Sequence, residues 1–343
     1  MTSKPPELAS TSTVWHWLKR NLFDSWLSSL FTLVCLWVVL YAGWQVLDWL
    51  FVKAEWAIVQ QNFSRLLVGR YPPQQYWRLW VVLALILGLG GGLTWYGIKA
   101  KQKPISVFTL TLYLLPVSFL LVLWLIGGGL GLPIVNNNLW NGLLLTLLLA
   151  SVSIFLAFPL GVLLALGRKS ELPILRGFAT AYIEIMRGLP LIGILFMAQV
   201  MLPLVLPGEW RLDRLLRAIA GLVLFNAAYL AENVRGGLQS IPKGQVEAAK
   251  ALGLNVPLTL ALVVLPQALR TVTPAIVGQF ISLFKDTSLL SLFALLELTG
   301  MTRSILAQPQ FFGRYAEAYV FIGLLYWIFC FTMSQLSRRL ERS

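Results

Sequence analysis

Residues 240–266 read SIPKGQVEAAKALGLNVPLTLALVVLP, a polar, helix-competent stretch set between strongly apolar ones. Pro242 suits the first turn of a short helix, where its missing N–H is not needed. Glu247, Ala248 and Ala249 continue that helix, and Gly253 is placed to end it in a left-handed conformation. Asn255 and Pro257 then restart a second helix. The stretch therefore predicts a short helix, a bend and a return to apolar sequence, with Pro266 stiffening or kinking the next span. Small residues at 248, 249 and 251 would let the helix approach another surface closely. On helix signals alone, an ordinary capped loop between two spans is a fuller account than a docking element.

The surroundings decide what kind of body carries this polar knob. The chain of 343 residues is 58% hydrophobic and only 12% charged, with mean hydropathy +0.76. Soluble domains carry about 25% charged residues, so composition alone predicts an integral membrane protein. Fourteen Trp and ten Tyr suit the aromatic belts at the two interfaces. The net charge of +13 fits cytoplasmic loops better than nucleic-acid binding, since no basic and aromatic residues interleave on a soluble face.

Eight apolar stretches approach the ~20 residues that a transmembrane helix needs: roughly 27–49, 78–98, 106–126, 141–166, 178–206, 217–238, 258–284 and 316–336. The fifth is long and contains Pro190 and Pro203, so it is expected either to be broken or to include a surface segment. The piece SLFALLEL within 288–312 is too short to span and reads as re-entrant or interfacial. Lys and Arg concentrate at 99–103 and 168–176 and at both termini, which predicts a cytoplasmic N-terminus, a cytoplasmic C-terminus and a cytoplasmic knob. The loop 209–217, with three Arg against Glu209 and Asp213, runs against that bias. The start, MTSKPPELASTSTVWHWLKR, lacks the pattern of a cleaved signal peptide, so the first span is expected to remain.

Little in this chain supports catalysis. His16 is the single histidine, and Cys35 and Cys330 both fall in apolar spans, where they read as packing residues without a disulfide. The Gly-rich run LGLGGGLTWYGIK (87–99) does not continue into the Gly-Lys-Ser/Thr of a phosphate-binding loop. Gly88–Gly92 and Gly127–Gly131 have the spacing of close helix contacts, although a flexible turn explains the second better.

Polar groups gather after Leu139. Glu184 and Arg187 are three residues apart, as are Glu232 and Arg235, so each pair can meet on one helix face. These residues read either as an inner-gate charge network or as self-neutralising groups near an interface. Lys285 and Asp286 end the seventh span. They would either line a translocation path, where an ammonium and a carboxylate can contact a zwitterion, or terminate a helix at the outer interface. Asn226, Asn233 and Gln279 offer pore contacts or interhelical hydrogen bonds. Ionisable groups inside a membrane usually mark a pathway or a helix contact.

The spacing in the opening stretch goes further. Glu247-Ala248-Ala249, three residues, Gly253, nine residues and Val263-Val264-Leu265-Pro266 resembles the EAA signature of permease subunits in ATP-binding-cassette (ABC) importers, with Val263 in place of the family's isoleucine. YIEIMRGLPL (182–191), AAYLAENVRGGLQSIPKGQVEAAKALG (227–253), LPQALRTVTPAIVGQF (265–280) and KDTSLLS (285–291) resemble the polar amino-acid (histidine/glutamine-type) branch. The long N-terminal portion and LFMAQVMLPLVLP (195–207) are most similar to the larger permease of general L-amino-acid systems. The family's RGTP is Arg187-Gly188-Leu189-Pro190 here, followed by apolar Leu191 and Ile192 and by Gly193.

The resemblance covers about 139–338 and carries its own expectations. It implies an all-α membrane protein of about eight transmembrane helices, with a five-helix type I importer core within 139–343 and three accessory helices in 1–138. It implies a coupling helix at about 242–253, in which Glu247, Ala248, Ala249 and Gly253, with Pro266 behind them, pass motion from an ATPase subunit. Glu184, Arg187, Glu232, Arg235, Lys285 and Asp286 are the candidate gate and path residues. The implied partners are ABC ATPase subunits, a second permease subunit or second copy, a periplasmic amino-acid-binding protein and the bacterial inner-membrane bilayer, with ATP and Mg bound on the ATPase and no cofactor or metal in this chain. Two rivals make different demands. An ion-driven secondary transporter should show internal repeats, and none is evident. A membrane-embedded enzyme needs clustered carboxylates or histidines, and the 14 acidic residues are mostly isolated.

Overall fold

A computed structural model describes residues 12–99, 104–207 and 212–342. Lys4, Lys101, Lys103, Glu209 and Arg211, which entered the charge reading, lie outside the described residues. The chain divides into two compact units between Ala57 and Ile58.

The first unit is two helices, α1 (Ser12–Leu22) and α2 (Trp26–Lys53). Ser25 and Ser28 cap α2 reciprocally, each side chain accepting the other's backbone N–H, which satisfies two donors that the first turn leaves free. No residue of α2 from Trp26 to Asp48 is buried. An apolar helix uncovered on every side matches lipid as solvent. Cys35 is exposed on it, contrary to its reading as a packing residue. Cys330 is half-buried, as expected.

The second unit holds α3 (Ala57–Val68), α4 (Tyr76–Lys99), α5 (Pro104–Gly127), α6 (Gly142–Arg168), α7 (Pro173–Gly188), α8 (Leu191–Val205), α9 (Arg214–Ser240), α10 (Lys243–Ala251), α11 (Val256–Phe293), α12 (Leu298–Leu306) and α13 (Tyr315–Arg342). Among the described residues five helices are long and apolar enough to cross a membrane: α2, α6, α9, α11 and α13. The pair α7 and α8 adds a sixth, bent by 102° at Leu189 and Pro190, as the prolines predicted. Helices α4 and α5 are 24 residues each.

Helix α9 is the axis of the bundle. Its apolar segment is 56% buried, against 39% for α6 and 17% for α11. Alanines and glycines make this possible. Ala157, Ala165, Ala179, Ala227, Ala231 and Ala268 form one core with Leu230 and Val234. A Cβ on Gly161 would stand 2.7 Å from the Cβ of Leu230, and one on Gly237 would stand 2.5 Å from the Ala268 carbonyl oxygen. In lipid, where apolar burial gives no advantage between helices, such close approach supplies the attraction by dispersion. The Gly88–Gly92 pair meets nothing within 4 Å. Residues 128–132 form a turn closed by the Gly129 N–H to the Leu132 carbonyl at 2.9 Å.

At the end where α6 and α9 begin, the chain is tied together by hydrogen bonds to the backbone. The Gly142 N–H donates to the Leu296 carbonyl at 2.8 Å. The Leu298 N–H donates to Thr146 Oγ1 at 2.9 Å. Tyr71 donates to the Ile126 carbonyl at 2.9 Å, and Arg78, fully buried, donates to the Pro133 carbonyl at 2.9 Å. The short apolar piece before α12 runs on from the 3₁₀ end of α11, and its Leu296 carbonyl is the acceptor of that Gly142 N–H.

Candidate functional site: a capped knob and an arginine–glutamate network

Helix α10 lies between the end of α9 and the start of α11. Its C-terminus closes as a Schellman cap: the Gly253 N–H returns to the Lys250 carbonyl at 2.9 Å and the Leu254 N–H to the Ala249 carbonyl at 3.1 Å. Gly253 sits at φ +80°, the left-handed conformation that such a cap requires. Asn255 then accepts the Leu258 N–H at 3.0 Å and starts α11. Pro242, expected inside the first turn, precedes Lys243 as the cap residue.

The helix shows two faces. Val246 and Ala249, three residues apart, turn inward, and Ala249 is buried. Glu247, Ala248, Lys250 and Ala251 are exposed. The small-residue face is therefore Ala248 and Ala251, and Ala249 belongs to the contact with the chain's own bundle, because a rotation of ~100° per residue cannot put 248 and 249 on one side. Leu252, at 83% exposed, stands beside that face and was not singled out in the sequence. The knob is braced against α11 by Gln267 Nε2 donating to Gln245 Oε1 at 3.2 Å.

Just beyond the knob α11 is wound as a π-helical turn from Thr259 to Val264, with the Leu265 N–H reaching back to Leu260. Pro266 explains it. A proline ring clashes with the carbonyl four residues earlier and offers no N–H, and a wider turn relieves both problems. The kink expected at Pro266 is thus spread over the turn before it.

Beside the knob lies a charge network with five members. Glu232 on α9 is its centre. It takes hydrogen bonds from Arg235, one of them Nε to Oε2 at 3.0 Å, and faces Arg168 Nη1 at 3.4 Å and Arg187 Nη1 at 3.5 Å. Glu184 faces Arg168 Nη2 at 3.1 Å. The expected pair within α9 forms, whereas the expected pair within α7 does not. Arg187 crosses to Glu232 and rests 5.7 Å above the Tyr229 ring, while Glu184 is taken by Arg168. The reason is that Arg168 ends α6 directly opposite both carboxylates, a proximity that sequence spacing cannot show. Three guanidinium groups against two carboxylates leave the cluster cationic.

Lys169, next in sequence, donates to the Leu238 carbonyl at 3.1 Å near the end of α9. Burial, and then the charge of Arg235, hold its ammonium pKa below the usual lysine value. Arg168 and Lys169 together join the α6–α7 turn to the last three turns of α9, from which α10 departs.

Lys285 and Asp286 are not part of this assembly. They end the α-helical part of α11 about 40 Å from its start, at ~1.5 Å per residue. Lys285 is exposed and Asp286 half-buried, and among the described residues neither forms an ion pair. Near that end lies Glu297, fully buried. It caps α12 by accepting the Thr299 and Gly300 N–H groups at 2.8 Å each and faces the Tyr326 hydroxyl at 3.4 Å. Burial pushes its carboxyl up to about 7, against the lowering effect of those bonds. An acidic residue immediately before LTG was the sequence signal for this cap. Asn226 and Gln279 settle as an interhelical hydrogen bond of 2.7 Å.

Residues 157–343 match the family described as "Binding-protein-dependent transport system inner membrane component". The chain is 41% identical, over its whole length and 96% of the relative, to the inner membrane amino-acid ABC transporter permease protein YhdY of Escherichia coli K12. It is 32% identical, again over its whole length and 96% of the relative, to the glutamate/glutamine/aspartate/asparagine transport system permease protein BztC of Rhodobacter capsulatus. Among solved structures, an amino acid ABC transporter with histidines matches with TM-score 0.53 and 29% identity, over 59% of this chain and 91% of the other.

Proposed function

The chain belongs to the family of binding-protein-dependent transport system inner membrane components, and from that premise we propose that it is the permease subunit of an ABC importer that moves amino acids across the bacterial inner membrane by alternating access. The observation that carries the mechanism is α10, a short helix with a hydrogen-bonded cap at its far end, an inward anchor at Ala249 and an exposed small-residue face at Ala248 and Ala251.

A separate ATPase subunit, holding ATP and Mg, receives that face, with Glu247 and Leu252 at its edges. Gly253 fixes the angle at which α11 leaves, and the π-helical turn before Pro266 is where motion of the knob enters the membrane. Residues 139–343 form the permease core and 1–138 the accessory part, with the knob and both termini cytoplasmic. A periplasmic amino-acid-binding protein delivers substrate to the opposite end, and a second permease subunit or second copy completes the pathway.

Glu184, Arg187, Glu232 and Arg235, joined by Arg168, act as the inner gate. Their side chains are between a quarter and two-thirds exposed, so their ion pairs are weak enough to exchange partners as helices shift. Lys285 and Asp286 line the outer part of the path.

Uptake into proteoliposomes tests this reading. Assembled with its ATPase and binding protein, the chain should import labelled L-amino acids only when ATP is supplied. Uptake driven by an ion gradient without ATP would overturn it.

A further inference from the structure

The end of the bundle away from α10 contains a cavity of about 760 Å³ whose wall includes Arg70, Trp140, Asn141, Asp213, Arg214 and Arg217. Its size falls in the ~300–1,000 Å³ range of small-molecule sites. Among the described residues three guanidinium groups meet one carboxylate there, and that carboxylate is already engaged: Asp213 accepts from Asn137 Nδ2 at 2.9 Å and from the Leu215 N–H at 3.1 Å.

Among the described residues the arginines have only neutral partners or none. Arg214 donates to the Ala294 carbonyl at 3.3 Å and Arg217 to the Gln199 carbonyl at 2.8 Å. Arg70 is exposed, and among the described residues it has no hydrogen bond or ion pair. The wall also holds unsatisfied buried atoms: among the described residues, Nε of Arg217, Nε1 of Trp140 and Oδ1 of Asn141 lack partners, and Asn141 is 4% exposed. Buried polar atoms are nearly always paired, and an unpaired group in a native wall demands an occupant or a rearrangement.

Arg70 is held in place from outside the matched family region. Gly69 and Gly142 both have φ +63°, a Cβ on Gly69 would stand 2.3 Å from the Asn141 Cβ, and one on Gly142 would stand 2.4 Å from the Leu66 carbonyl oxygen. The end of α3 is therefore pinned against the start of α6 backbone to backbone, and Arg70 is the next residue along.

We propose that this cavity is an entry site for the carboxylate of an amino acid, and that Arg70, contributed by the N-terminal portion of the chain, is one of its recognition residues. This rests on the importer reading. Guanidinium groups without a counter-ion favour a planar anion that can be bound in bidentate fashion, and the α-carboxylate is the anion shared by every amino acid.

The test uses the full chain in nanodiscs, with L-glutamate, L-glutamine, L-aspartate and L-asparagine and their α-carboxamides as probes, read by saturation-transfer NMR. The same preparations, assembled with ATPase and binding protein, are assayed for uptake. The proposal expects saturable binding of the amino acids, weakened about tenfold in Arg70→Ala, largely recovered in Arg70→Lys, and equally weak α-carboxamide binding in all three. Equal binding by wild type and Arg70→Ala, or no saturable binding to a chain whose assembled form imports the same probe, overturns it and leaves the importer reading standing. So does an Arg70→Ala defect confined to capture of the binding protein, which would make Arg70 a docking residue. A wild-type assembly that imports no amino acid overturns both.

Discussion

Arg187 leaves Glu184, one turn earlier on its own helix, and sets Nη1 3.5 Å from Glu232 Oε2 on α9. Glu232 thereby answers three arginines from α6, α7 and α9, and removing its charge leaves Arg187 and Arg235 without a carboxylate among the described residues, while Arg168 keeps Glu184. Glu232→Gln should lower stability by about 1–3 kcal/mol, less than a fully buried pair would lose because the groups keep partial solvent contact. Glu184 is 63% exposed, so Glu184→Gln should cost about 1 kcal/mol or less. Thermal unfolding in one detergent compares them directly, and equal losses would show that Glu232 is not the centre.

The cap of α10 makes a second prediction. Placing a β-carbon in the left-handed region costs roughly 1–2 kcal/mol, so Gly253→Ala should loosen the knob locally. Hydrogen exchange at the amides of 250–254 should accelerate, while amides in the buried turns of α9 should be unchanged. Uniform acceleration would mean that the effect is global rather than local.

A sharper loss is expected where α3 meets α6. Gly69→Ala adds both a left-handed strain and a clash with Asn141, together about 2–5 kcal/mol. Gly88→Ala meets nothing within 4 Å and should not lower the melting temperature, since alanine is the better helix former. A Gly69→Ala protein as stable as wild type would disprove the close contact.

Glu297 predicts a pH dependence. Its folded-state pKa, about 7, is raised above the ordinary glutamate value of ~4.3. The folded protein therefore holds a proton that the unfolded chain releases, so this contribution is fully present below the unfolded pKa and is lost as pH rises through about 7. Melting temperature should fall between about pH 5 and pH 7.5, and Glu297→Gln should flatten that part of the profile. An unchanged slope in the variant would assign the dependence elsewhere.

Much of the knob was legible because its signals are local. Proline, glycine and asparagine each fix backbone geometry at their own positions, and Gly253 and Asn255 behave as read. The break at Pro190 was legible from the proline itself. What escaped depended on three-dimensional neighbours. Arg168 looked like one loop charge among several, yet it faces two carboxylates on different helices. Ala249 looked equivalent to Ala248 until the helix was placed against its bundle. Arg70 sits in a stretch with little pattern, and only the paired glycines at 69 and 142 bring it to the cavity.

The central claim is that α10 transmits the ATPase cycle to α11, and ATP-dependent amino-acid uptake by assembled transporters carrying Glu247→Arg or Gly253→Trp tests it most directly. The account predicts transporters that still assemble with the ATPase but import at no more than a tenth of the wild-type rate. Uptake at the wild-type rate by fully assembled variants would contradict it.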